Sequence, residues 1–176
     1  MLIKVINKLF FIALFFCSIN LHAQEDSLRN ELKINVLNMT FGMPEITYER
    51  AFNENKAFGI SALIGLDRHT ELKYALMPYY RVYFKDRYSN AIFIEASTGI
   101  LSVNKSRYNY NNAGNLISID DHFTTVGVGV SAGYKFFTKN KKLFGEAYIG
   151  LGRLLIENKL FSNEYPRIGV ILGRKY

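Results

Sequence analysis

Between Thr124 and Phe137 the chain reads TTVGVGVSAGYKFF, and alternate residues belong to two different chemical classes. Thr124, Val126, Val128, Val130, Ala132, Tyr134 and Phe136 fall on one side, while Thr125, Gly127, Gly129, Ser131, Gly133 and Lys135 fall on the other. A period of two is a strand, greasy on one face and small or polar on the opposite one. At about 3.3 Å per residue and a tilt near 40°, such a strand covers roughly 35 Å, enough to cross a bilayer core and reach both interfaces. No segment offers the about 20 uncharged apolar residues that a membrane helix needs. A membrane-spanning form of this chain is therefore built from strands.

Residues 1–23 form a separate unit. Lys4 and Lys8 precede the apolar run Leu9 to Cys17, and Leu21-His22-Ala23 ends in a small residue, the pattern of a secretory signal peptide cut after Ala23. Cys17 follows Leu14-Phe15-Phe16 and invites a lipoprotein reading, but bulky Phe16 stands where lipidation needs a small residue. Cleavage removes two lysines and no acids, so the formal charge falls from +7 to +5, and it removes the only cysteine. Disulfide and thiol chemistry are thus excluded from the mature chain, residues 24–176, which reads as one barrel domain. Secretion separates the basic balance from nucleic acid, and Lys139, Lys141, Lys142, Arg107, Arg153 and Arg167 form no single patch; they read as solvated charges attracted to anionic lipid headgroups.

The same alternation recurs along the mature chain. Strands are expected at Glu31–Phe41, with a bulge where the pattern slips near Leu37, and then at Glu45–Phe52, Ala57–Leu66, Glu71–Phe84, Ala91–Val103, Thr124–Phe137, Leu143–Leu154 and Tyr165–Tyr176. Pro78 lacks a ladder donor and predicts a local bulge or bridging water. Gly42-Met43-Pro44 and Asn53-Glu54-Asn55-Lys56 read as tight turns. The fold class is all-β, an eight-stranded antiparallel up-and-down transmembrane β-barrel.

Alternation alone also fits a soluble ligand-carrying barrel, so the kind of non-greasy residue has to decide. Gly, Ser, Ala, Thr and Tyr with isolated charges suit a crowded lumen, and the aliphatic face becomes the lipid-facing band. Phe52, Phe58, Phe84, Phe136, Phe137, Phe144 and Tyr176 cluster at one set of turns as an interface girdle. Short turns at 53–56, 85–90 and 138–142 place both termini in the periplasm, and the long insert 104–121 outside, of a Gram-negative outer membrane. The segments NVLNMTFGMPEITYERAF, MPYYRVYF, GVGVSAGYKFF and GEAYIGLGR, after a leader closing on HAQ, resemble a family of uncharacterised small outer-membrane β-barrel proteins, a domain of unknown function. The architecture is also similar to OmpA-type eight-stranded barrels. That resemblance implies fold and outer-membrane location and carries no established activity.

Within the lumen, parity gathers Glu49, Arg81, Glu95, Lys135 and Glu146 into one belt near the periplasmic end, and the last four alternate in sign on four consecutive strands. The expected role is an ionic plug; the alternative is a narrow pore or transport accessory using the charged lumen. Gly127-Val-Gly129 and Gly150-Leu-Gly152 lie inside strands and open no helix, so they are not phosphate loops. Ser102 or Ser118 with His122 and an Asp is the only set resembling a rim hydrolase acting on lipid, and no motif supports it. His69, and His122 with Asp120 and Asp121, lack metal-ligand spacing. No catalytic, cofactor or metal site is expected. The insert 104–121 offers Arg107, Tyr108, Tyr110, Asn112 and Asn115 to an extracellular protein or glycan. The expectation is a monomeric, non-enzymatic barrel with a closed lumen, outer-membrane lipid around it, and a structural or surface-interaction role.

Overall fold

The computed structural model describes residues 30–67, 70–85, 89–110, 116–139, 142–155 and 163–176, with 105–110 and 116–121 described by their backbone alone. The leader read at 1–23 and the residues His69, Asn112 and Asn115 lie outside that set. The elements run β1 (Asn30–Asn35), α1 (Val36–Thr40), β2 (Glu45–Ala51), β3 (Lys56–Ile64), β4 (Leu72–Tyr83), β5 (Ala91–Tyr110), β6 (Leu116–Phe137), β7 (Leu143–Leu154) and β8 (Glu164–Lys175). Every strand pairs antiparallel with its sequence neighbours, and β8 returns to β1, which closes the barrel in chain order. The fold is all-β, a closed eight-stranded antiparallel barrel.

The polarity of its two faces is inverted relative to a water-soluble protein. Val130 is 65% exposed and Ile149 70%, whereas Lys135, Glu49 and Glu146 are each 0% exposed. Valine, isoleucine and leucine thus coat the outside of every strand, and charge is turned inward. This arrangement is stable only where the surroundings are apolar, because otherwise burial would favour the opposite choice on both faces.

Inward glycines do more than thin the wall. Gly59 pairs with Tyr79, Gly133 with both Phe93 and Tyr148, Gly169 with Tyr148, Gly173 with Phe144, and Gly152 with Tyr165. A Cβ on Gly59 would stand 2.2 Å from the Tyr79 ring, and one on Gly173 2.3 Å from Phe144. Each aromatic ring therefore lies over a glycine on the adjacent strand, filling the lumen while covering bare backbone.

Three local expectations change. The slip after Val36 is a helical turn and not a bulge: the Asn35 side chain caps α1 by accepting from the Asn38 amide at 3.2 Å, and Gly42, at φ 71, ends it. The register through Pro78 is undisturbed, with Leu76↔Ile100 and Tyr79↔Ser97 on the same count; the irregularity lies between Leu72 and Tyr74 instead. Pairing to β5 is interrupted at Met77 and Pro78, where the proline has no donor to give, while Pro78 stays paired with Ile60 on β3. The girdle loses Phe144, 2% exposed, and the half-buried Phe137. These rings pack at 5.6 Å inside the terminal mouth, whereas Phe52, Phe58, Phe84, Phe136 and Tyr176 stay outward.

The insert read as starting at Asn104 is largely strand. β5 and β6 pair without a shift from Ala91↔Lys135 to Tyr110↔Leu116, leaving residues 111–115 between them. Strand β4 reaches only as far as Val103, so this hairpin extends beyond that neighbour.

One closely covered glycine gives a prediction. A Cβ on Gly150 would meet the Val130 carbonyl oxygen at 2.2 Å, backbone that cannot rotate away. Gly150→Ala is expected to destabilise the barrel by about 1–3 kcal/mol, and Ile149→Val on the outer face by less than about 0.5 kcal/mol. Urea unfolding in lipid vesicles measures both.

Candidate functional site

An eight-stranded barrel encloses a lumen only about a side chain across, so inward charges on opposite walls come within reach of one another. Strand β1 contributes Glu31 and Lys33, β2 Glu49, β4 Arg81, β5 Glu95, β6 Lys135, β7 Glu146 and β8 Arg167, all buried. The five residues expected from parity, Glu49, Arg81, Glu95, Lys135 and Glu146, all lie in this cluster.

Arg81 is its hub. Its guanidinium stands 2.8 Å from Glu95 on the neighbouring strand, 2.8 Å from Glu146 and 3.3 Å from Glu49 across the lumen. One face of the group lies on the Phe93 ring, 3.8 Å from its centroid. Lys33 donates to Glu49 at 2.7 Å and to Glu146 at 2.8 Å. Glu49 also accepts from the hydroxyls of Tyr79 at 2.7 Å and Tyr83 at 2.8 Å. Every oxygen of that carboxylate is engaged, which is what burying it demands.

Lys135 has its nearest partner in Glu31, at 2.6 Å, and lies 3.4 Å from Glu146, its directly opposed neighbour. Arg167 faces Glu95 at 3.0 Å. The pairing is thus across the lumen as well as along the wall. Glu31, Lys33 and Arg167 escaped the parity reading because β1 was taken as irregular and Arg167 as a solvated charge. The signal was present: Leu32 and Ile34 face out, which turns Glu31 and Lys33 in, and Ile168 and Val170 do the same for Arg167.

Further from the chain termini the lumen changes character. Leu63, Ala75, Met77, Leu101 and Leu154 form a buried apolar cluster, with Met43, Leu72 and Tyr165 packed on it. Beside α1, Glu45 accepts from Asn35 and Asn38 at 2.7 Å each. The cavity left among Ser61, Tyr79, Arg81, Glu146, Tyr148 and Arg167 measures about 10 Å³, on the scale of one water molecule.

Register places the remaining described candidates. Ser102 is buried on the outer face opposite Tyr74, while His122 is exposed and pairs with Asn104. Arg107, Tyr108 and Tyr110 lie on β5, in register with Ile119, Ser118 and Leu116. Among the described residues no group of three or more His, Cys, Asp or Glu side chains could hold a metal ion.

With this geometry in place, similar barrels are found among solved structures. The N-terminal β-barrel domain of Pseudomonas aeruginosa OprF aligns with a TM-score of 0.57 and 12% identity over 84% of this chain and 96% of that one. Neisserial surface protein A aligns with a TM-score of 0.54 and 12% identity, covering 84% of this chain and 93% of that one. At such identity the likeness concerns the fold, which is that of outer-membrane barrels. A comparison with curated proteins finds no match. A family model matches residues 9–171, nearly the whole sequence, and the chain belongs to the family described as "Protein of unknown function (DUF3575)".

Proposed function

We propose that this protein is a small outer-membrane barrel whose role is structural or one of surface interaction, with a sealed lumen and no catalysis. The observation that carries the reading is the filling of the lumen. A layer of interlocked charges is followed by a layer of packed apolar side chains, and an ion leaving the first meets the second. Dehydrating an ion against leucine and methionine is costly, so the apolar layer closes the path beyond the charges.

The chain is read as spanning the membrane as a monomer, its signal peptide removed and both termini in the periplasm. The turns at 52–55, 84–90 and 138–142 lie at the terminal end, and the long β5–β6 hairpin points the other way, the asymmetry usual for such barrels. That hairpin, with residues 104–121, is the proposed contact for an extracellular protein or glycan. The rim-hydrolase alternative draws no support from Ser102, whose side chain hydrogen-bonds Tyr74.

In planar bilayers the purified protein is expected to give no steady unit conductance. Sustained channels of one size would favour the narrow-pore alternative and overturn the sealed reading. Replacing residues 105–120 by a short turn should leave membrane assembly intact and abolish binding of cells to their surface partners; unchanged binding would remove the hairpin from the proposal.

The charge cluster makes a separate prediction about stability. Arg81→Leu leaves Glu49, Glu95 and Glu146 short of a partner and should cost about 3–5 kcal/mol, because buried charge without compensation is strongly unfavourable. Adding Glu146→Leu should cost less than the sum of the single changes, since it removes one of the stranded carboxylates. Urea titration in vesicles of the two single variants and the double variant decides the sign of the coupling.

A further inference from the structure

The outer face of the barrel is apolar almost everywhere, but at the terminal end it holds a groove of about 450 Å³ with a basic upper edge. Leu32 and Ile34 of β1, Leu143 of β7 and Leu172 of β8 line it, and Arg174 and Tyr176 stand at its top. Register places these residues in rows. Arg50, Asn30 and Tyr176 lie side by side across β2, β1 and β8, and one step deeper come Tyr48, Leu32, Arg174 and Leu143. The two rows contain two arginines, both exposed, and no acidic side chain.

Arginine on a lipid-facing surface is unfavourable unless it reaches the headgroup level and meets an anion there. The two tyrosines mark that level: Tyr48 donates its hydroxyl to the Asn30 side chain at 2.9 Å, and Tyr176 is 53% exposed beside it. Below the arginines the groove continues past Leu172 to Ile34, apolar on every side. A larger groove, about 630 Å³ over Ala96 and Ala132, has no basic residue in its lining and offers nothing to a headgroup.

We propose that the β7–β8–β1 groove is a binding site for one anionic glycerophospholipid. Its phosphate lies on Arg174 and Arg50, and one acyl chain lies along Leu32, Leu143, Leu172 and Ile34. The proposal rests on the outer-membrane reading above, which puts this end of the barrel among headgroups. Guanidinium groups suit phosphate oxygens because their planar donors can engage two at once. A free phosphate would satisfy the arginines but leave the groove unused, so the lipid accounts for both halves of the site.

The test is native mass spectrometry of the mature barrel released from detergent with phosphatidylglycerol or phosphatidylcholine of identical acyl chains, with inorganic phosphate as competitor. Phosphatidylglycerol should be retained more strongly, by about fivefold per arginine engaged. The variant Arg50→Gln/Arg174→Gln should lower it to the phosphatidylcholine level while keeping the heat-modifiable gel migration of a folded barrel. Leu172→Trp, which fills the groove, should reduce retention of both lipids. Equal retention of the two lipids by the wild type, no change in the double arginine variant, or full displacement by an equimolar amount of inorganic phosphate would overturn the site. If the wild type lacked heat-modifiable migration altogether, the outer-membrane reading would fail and the lipid site with it.

Discussion

The narrowness of the lumen governs the rest of this structure. Eight strands leave an interior that side chains fill, and no inward polar group can find bulk water to satisfy it. Each must be answered by another inward group. Glu49 shows the consequence, with Lys33, Tyr79, Tyr83 and Arg81 all directed at one carboxylate from two other strands. Such a network holds together only when complete, because deleting one cation strands several acids at once. Its members are accordingly spread over the whole wall, and β1, the shortest strand of the barrel, carries both Glu31 and Lys33 into it. Pairing of β1 with β8 thus sets Glu31 and Lys33 among the other charges.

Glycine solves the complementary problem of volume. Large rings can point inward only if the wall beside them is bare, and Gly59, Gly133, Gly169 and Gly173 supply that next to Tyr79, Phe93, Tyr148 and Phe144. Those rings in turn flank the charges, with Arg81 on Phe93 and Lys135 4.1 Å from the Phe144 centroid. Aromatic packing and ion pairing are thus interleaved in one layer. The apolar cluster around Leu101 and Met77 then closes the other half of the lumen. On the outside, the absence of any need to satisfy polar groups leaves aliphatic residues in almost every position, and the arginines at the terminal end stand out for that reason.

Much of this was legible in the residues. The facing of β3 through β8 follows from parity, and so does the inward placement of Arg81, Glu95, Lys135 and Glu146, because a strand's side chains cannot choose faces independently. Where the reading failed, two signals overlapped. Val36 to Thr40 interrupts the alternation, and from one dimension a helical turn and a bulge look alike; the cap from Asn35 and the left-handed Gly42 decide between them. Phe144 was placed in the girdle because aromatics near turns usually face lipid, whereas its position one residue from Leu143 turns it inward over Gly173. The strands were ended at Val103 and Thr124 because polar residues dominate the insert between them, although a hairpin beyond its neighbours has no apolar face to display.

The sequence by itself determined the strand count, the two faces and the inversion of their polarity, since each depends only on a period of two and on the kinds of residue sharing a face. Tertiary structure alone decided which charges meet. Lys135 finds Glu31 rather than only its opposed neighbour Glu146, and Arg81 reaches across to Glu49, because barrel shear and closure bring strands distant in the chain within a side chain's length. The outer groove beneath Arg174 has the same origin: it exists only where β8 meets β1, a junction that no local pattern encodes.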